Sequence, residues 1–137
     1  LTGGASQVSH LAELIQKAKE AKEQAYAPYS GFHVGAALLC KDGTIFTGCN
    51  IENSAYGPTN CAERTAIFKA VSEGFREFEA IAIISDSKQP TAPCGVCRQV
   101  MAEFCSRDFQ VLMLGCEGIQ RTASLGELLP YAFSLEK

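Results

Sequence analysis

The chain is short of histidine and of clustered positive charge. It holds only His10 and His33, and no tryptophan. Neither histidine has metal-ligand spacing to the cysteines, so His33 is expected to be an exposed strand residue. Twelve Lys and Arg against fifteen Asp and Glu give a formal net charge of −3. The densest basic stretch is Lys17, Lys19 and Lys22. It is interleaved with Glu20 and Glu23 and reads as a solvated helix face. Nucleic-acid binders carry a basic face, so this balance disfavours a polynucleotide partner. No apolar run approaches the roughly 20 residues that span a bilayer, and no apolar signal segment is present. A membrane partner is not expected.

Cysteine is plentiful: seven occur in 137 residues. An odd count argues against a secreted disulfide framework. A reducing, cytoplasmic compartment suits all seven. Cys40, Cys49, Cys105 and Cys116 lie among apolar neighbours and are expected as small buried hydrophobes. The other three form a different pattern. Cys94-Gly95-Val96-Cys97 is a Cys-x-x-Cys unit, whose two thiolates can converge on one ion. Cys61, in Asn60-Cys61-Ala62-Glu63-Arg64, can supply a third. Three protein ligands leave tetrahedral zinc with an open position for water, the arrangement of catalytic rather than structural sites. A zinc-stabilised scaffold would need a fourth ligand, and neither Cys105 nor Cys116 has a local partner to suggest one. A thioredoxin-like redox site would need neither Cys61 nor Glu63. Glu63 follows Cys61 by two residues, near enough to reach such a water without being a ligand. Arg64 is either a donor to a ligand thiolate or a surface helix cation.

By length the chain is one domain, residues 1–137, with 1–8 as a loose end. Such a chain buries about two-thirds of its unfolded surface, enough for a core without staples. Leu11, Leu14, Ile15, Ala18, Lys22 and Ala25 recur at helical spacing. They predict a helix over 9–26, with Ser9 as N-cap and Pro28 as terminator. The apolar run from Val34 to Cys40 is a strand buried on both faces. Asp42-Gly43 is a hairpin turn, and Ile45 to Asn50 is the returning partner. The hairpin delivers Asn50 and Glu52 to its far end. They read either as a turn cap and a solvated carboxylate or as an amide and a carboxylate for sugar hydroxyls. A helix over about 61–73, stopped by Gly74, puts Cys61 at its N-terminus. Residues 78–85 are a buried strand. Pro93 opens a helix over about 94–105 whose first turn holds Cys94 and Cys97. Strands follow at 111–114 and 119–122. A short helix over 124–129 starts in a Ser124/Glu127 capping box. The order gives an α/β fold: a three-layer α-β-α sandwich around a central mixed sheet of about five strands.

Cys61-Ala62-Glu63 together with Pro93-Cys94-Gly95-Val96-Cys97 resembles the zinc-dependent cytidine deaminases. Three cysteines with a non-ligand glutamate is an established deaminase signature. The likeness continues through Tyr26-Ala27-Pro28-Tyr29-Ser30-Gly31-Phe32, Val34-Gly35-Ala36-Ala37-Leu38, Gly48-Cys49-Asn50-Ile51-Glu52-Asn53, Lys69-Ala70-Val71-Ser72-Glu73-Gly74 and Leu128-Leu129-Pro130. It runs from Leu11 to Phe133 and points to the small homotetrameric type. The resemblance implies hydrolytic deamination of cytidine and deoxycytidine to uridine and deoxyuridine, with release of ammonia, in pyrimidine salvage. It implies Zn2+ on Cys61, Cys94 and Cys97, with Glu63 as the catalytic acid and base. It places Phe32 against the pyrimidine ring and Asn50 and Glu52 on the sugar 3′-hydroxyl. Without it, Phe32 and Tyr29 would read as core aromatics.

The same resemblance puts Ala62, Tyr56 and Phe133 at the substrate. It further implies that Tyr29, Tyr56 and Phe133 stand at subunit contacts, with Phe133 reaching a neighbour's site, and that Arg64 donates to a ligand thiolate. Gln99 reads equally as a hydrogen-bonding residue near the site or as a polar residue of a core helix. Tyr131 departs from the pattern, which expects a small residue there. A deaminase acting on polynucleotides would begin its motif with His and need a basic channel, and this chain has neither. Blasticidin-type deaminases share the three cysteines, so the substrate is less fixed than the reaction.

Overall fold

The computed structural model describes residues 4–135. Its elements are α1 (Gly4–Lys22), β1 (Val34–Cys40), β2 (Ile45–Cys49), α2 (Ala62–Ser72), β3 (Phe78–Ser85), α3 (Gly95–Phe104), β4 (Gln110–Leu114), β5 (Gln120–Ser124) and α4 (Leu125–Leu128). The five strands form one sheet in the order β2-β1-β3-β4-β5. β1 runs antiparallel to β2 and β3, β3 runs parallel to β4, and β4 antiparallel to β5. This is the expected mixed sheet of an α/β sandwich.

β1 shows why the sheet is covered on both sides. Its side chains alternate between faces, and nearly all are apolar. Ala36, Leu38 and Cys40 join the core beneath α2 and α3, with Ile67, Ile81 and Met101. Ala37 and Leu39 join the core beneath α1, with Leu14, Ala18, Ala80 and Ala82. A strand with two buried faces reads as a continuous apolar run. Burying a side chain such as Leu38 contributes roughly 1.5–3 kcal/mol.

Two glycines let helices press on the sheet. A Cβ on Gly35 would stand 2.1 Å from the Ala18 carbonyl oxygen and 2.5 Å from the Lys22 nitrogen. A Cβ on Gly48 would stand 2.5 Å from the Ala62 oxygen and the Ala66 nitrogen. The start of α2, and Cys61 just before it, is therefore seated directly on β2.

The helix predicted at 9–26 is shifted. α1 reaches back to Gly4, so Ser9 lies inside it rather than at its cap. At the other end it stops at Lys22, short of Pro28. The cause is tertiary: the Tyr26 N–H donates to the Asn50 oxygen at 2.9 Å, and the Glu52 N–H donates to the Tyr26 oxygen at 2.8 Å. Those bonds replace helical ones. Of the expected loose end 1–8, residues 1–3 lie outside the described residues.

Lys22 is not part of a solvated face. Its ammonium pairs with Asp86 at 3.1 Å. Cys116 is exposed rather than buried, because it lies in the turn beyond β4. The hairpin turn and the Ser124/Glu127 capping box are as expected. Among the described residues, no helix is long and apolar enough to cross a membrane.

Candidate active site

Cys61 and Cys94 are the N-cap residues of α2 and α3, and neither sulfur is used to cap its helix. Each is free for another partner at a helix end that favours anions. Cys97 sits in the first turn of α3 and is wholly buried. The three sulfurs lie within 4.8 Å of one another. Two sulfurs about 2.3 Å from a tetrahedral ion stand about 3.8 Å apart. The Cys61 and Cys94 sulfurs are 3.8 Å apart. All three cysteines are unbridged. The donor set, its spacing and its softness fit zinc.

The charges around the sulfurs are arranged for thiolate. The Arg64 Nη2 donates to the Cys61 sulfur at 3.2 Å. A hydrogen bond from Cys97, opposed by burial and helped by Arg64, brings the Cys61 thiol down to about 5. Cys97 moves the opposite way, raised first by its bond to Cys61 and then by burial. Arg64 stays a firm cation, its pKa raised by the bond to Cys61. Its buried Nε has no hydrogen-bond partner among the described residues.

Glu63 is only 4% exposed. Burial raises its carboxyl to about 7, and the Cys61 charge adds to that, while its own backbone amide, Cys97 and Arg64 pull the other way. A carboxyl near 7 is matched to moving protons at neutral pH.

A second group forms where residues 29–34 meet the end of the hairpin. The Asn50 side chain donates to the Phe32 oxygen at 2.8 Å and accepts from the Val34 N–H at 2.9 Å. That leaves one amide hydrogen and one lone pair for another partner. Glu52 accepts from the N–H groups of Tyr29 and Ser30 at 3.0 and 3.1 Å and from the Ser30 hydroxyl. Its carboxyl is lowered first by the Ser30 hydroxyl. The Phe32 N–H in turn donates to the Ser30 oxygen at 3.0 Å. Phe32 is 43% exposed, so its ring is not a core aromatic.

The remaining expected residues are spread around these groups. Ala62 is wholly buried. Tyr29, Ser30, Glu52, Asn53, Tyr56 and Thr59 line a cavity of about 310 Å³. Tyr56 is 77% exposed and has φ 62°. Phe133 is 68% exposed, and its carbonyl oxygen accepts from the Gln99 Nε2 at 2.9 Å. Gln99 is therefore tied to the C-terminal segment. Tyr131 has φ 56° and is fully exposed. That is the left-handed region, which costs a non-glycine residue roughly 1–2 kcal/mol. Of the small residues, glycine would avoid the cost.

The sequence reading did not single out Ser30 or Asp86. It also placed His33 in a strand, whereas His33 lies just before β1 and its ring nitrogen is 2.8 Å from Asp86. Fifty-three positions separate that pair, so no local spacing signals it.

Comparison with known proteins agrees with this geometry. Residues 8–113 match the family model of the cytidine and deoxycytidylate deaminase zinc-binding region. The chain belongs to this family. It is thus a zinc-dependent deaminase, a hydrolase of C–N bonds. A cytidine deaminase of Sporosarcina psychrophila is 57% identical over 124 residues, 90% of this chain and 91% of that protein. One of Halalkalibacterium halodurans is 56% identical over 123 residues, 90% of this chain and 93% of that one. The crystal structure of cytidine deaminase from Burkholderia pseudomallei superposes with a TM-score of 0.87 at 52% identity, covering 89% of this chain and 98% of that one. The deaminase family thus supplies both the fold and the three-sulfur site.

Proposed function

We propose that the chain deaminates cytidine and deoxycytidine to uridine and deoxyuridine, in pyrimidine salvage. The observation that carries this is Glu63: a carboxyl 4% exposed and raised to about 7, two residues after a cysteine of the three-sulfur cluster. Cys61, Cys94 and Cys97 hold the zinc. When bound, zinc supplies Lewis acidity that lets water lose a proton near neutral pH. Every other step falls to the chain. Glu63 accepts the proton of the attacking water and passes it to ring N3. It then takes the remaining proton from the new C4 hydroxyl and delivers it to the departing amine, so that C4 becomes a carbonyl. A C4–O bond forms, the C4–N bond breaks, and one water is consumed for each ammonia released. Arg64 draws negative charge from the Cys61 sulfur, which keeps a three-thiolate site from being too electron-rich to help.

The substrate is held by the second group. Phe32 lies against the flat pyrimidine, and the free amide hydrogen of Asn50 and the carboxylate of Glu52 take the sugar hydroxyl. Ala62 offers its backbone. Tyr29, Tyr56 and Phe133 are half or more exposed on a lone chain. In this reading they meet neighbouring copies in a homotetramer, Phe133 entering a neighbour's site and Gln99 holding its main chain. The reading treats residues 1–137 as one domain acting in the cytoplasm on a small nucleoside, without nucleic acid or membrane.

The test is direct. Zinc-loaded protein is given cytidine, deoxycytidine, blasticidin S or single-stranded DNA, and uridine-type product and ammonia are measured. Turnover of the two nucleosides, abolished by a chelator and restored by zinc, is expected. Turnover of blasticidin S or DNA alone would overturn the substrate assignment.

A further inference from the structure

We propose that Asp86 is a positioning residue for this reaction, fixing Phe32 relative to the segment that delivers Cys94. The inference rests on the reading of Phe32 as the residue that lies against the pyrimidine. Asp86 is the first residue after β3, at the head of the loop that ends on Pro93-Cys94. Its Oδ2 accepts from the His33 backbone N–H at 2.8 Å and meets the His33 Nδ1 at 2.8 Å. Its own N–H donates to the His33 carbonyl at 3.2 Å. Residue 33 is therefore gripped on both sides by one residue. Oδ1 faces the Lys22 ammonium at 3.1 Å, and the Asp86 carbonyl accepts from the Cys116 thiol at 3.2 Å. One side chain ties the end of α1 and the entry to β1 to the exit of β3.

The position of this grip is what gives it a role. Phe32 precedes His33, and its N–H and C=O are held by Ser30 and Asn50 at 3.0 and 2.8 Å. Those partners belong to the nucleoside-binding group itself. They can set Phe32 relative to the sugar contacts, not relative to the metal. Among the side chains that hold residues 32–34 in the described residues, that of Asp86 is the one borne by the chain that runs on to Cys94, one residue beyond the Val34–Ser85 pairing of β1 with β3. Its carboxylate therefore sets the gap between the stacking ring and the metal-binding loop. Losing it releases the His33 N–H and ring, leaves the Asp86 N–H bond to the His33 carbonyl, and loosens residue 33 on the Phe32 side. Ground-state and transition-state contacts of the ring weaken together, which appears in KM rather than in kcat.

The experiment is a double-mutant cycle on the zinc-loaded enzyme with cytidine, using Asp86→Ala, Phe32→Ala and the pair, with Asp86→Asn and Lys22→Ala as controls. The expected results are a roughly tenfold higher KM for Asp86→Ala with kcat within about twofold, and zinc content unchanged. Asp86→Asn keeps one oxygen for the His33 N–H and recovers most of the loss. The pair should be no worse than Phe32→Ala, because residues acting through one another are not additive. Lys22→Ala breaks the ion pair but not the grip and leaves KM near normal. An additive pair, an unchanged KM in Asp86→Ala, or an equal loss in Lys22→Ala overturns the inference while Phe32 keeps its role. A normal KM in Phe32→Ala overturns both readings, since nothing would then need positioning.

Discussion

Glu63 carries the most chemistry for the least volume. It is buried beside three sulfurs, and a buried carboxyl without a task is an expensive choice. Glu63→Gln keeps the shape and removes the exchangeable proton. Turnover should fall by at least about 10²–10⁴, the range of general acid–base catalysis, with zinc still bound at one ion per chain. Assays of uridine formation beside metal analysis check both halves. Asp86 offers a different test at this scale. Burial alone would raise its carboxyl, but the His33 backbone and ring and the Lys22 ammonium hold it at about 2, below the ordinary 3.8. A carboxyl depressed in the folded state adds stability above its unfolded pKa and loses it as pH falls through the folded one. The Tm gap between the native chain and Asp86→Asn should therefore be full near about pH 6 and should close towards about pH 2. A gap that stays constant would show that the charge is idle. The two residues also differ in how they could be found. Glu63 stands two positions from a metal-type cysteine, a spacing that is chemistry in itself. Asp86 and His33 meet only because β1 and β3 lie side by side.

Elements were legible where local physics decides them. β1 is an unbroken apolar run, Asp42-Gly43 can hardly be other than a turn, and Ser124 with Glu127 is a self-contained cap. The ends of α1 were not, because Tyr26 leaves the helix to bond with Asn50 and Glu52, which lie across the fold. The close approach of α2 to β2 is equally invisible in sequence, though Gly48 marks it afterwards. An added methyl there meets backbone at 2.5 Å on the turn that follows Cys61. Backbone does not swing aside as a flexible side chain does. Gly48→Ala should destabilise by roughly 1–3 kcal/mol, as overpacking does, and weaken zinc binding because Cys61 moves with α2. Gly95→Ala is the contrast. It lies between the zinc cysteines, yet its Cβ would meet nothing within 4 Å. Alanine at that first helical position should be neutral or stabilise by about 0.4–1 kcal/mol. Thermal melts and zinc titrations of the two variants separate crowding of α2 from mere nearness to the metal.

At the scale of the whole molecule, the two halves of the site differ in completeness. The sulfur cluster, Glu63 and Arg64 are assembled within one chain, with Cys97 and Glu63 buried, Cys61 and Arg64 half-buried and Cys94 at the surface. The nucleoside side is open: Phe32, Tyr29, Tyr56 and Phe133 are all substantially exposed. Phe133 is the most telling of these. Its main chain is tethered to α3 through Gln99 at 2.9 Å, yet the residue remains 68% exposed. A held stalk with a bare ring is poor economy for a monomer, and it suits a residue that closes a neighbour's pocket. No intrachain pattern can announce such a role, which is why the sequence supplied it only through resemblance. The consequence is measurable by dilution. If neighbouring copies complete each site, activity per chain should fall in step with the tetramer mass seen by light scattering. At concentrations where the tetramer persists, Phe133→Ala should raise KM and leave zinc content alone. Dilute monomers that turn over cytidine at the undiminished rate per chain would mean that each chain closes its own pocket.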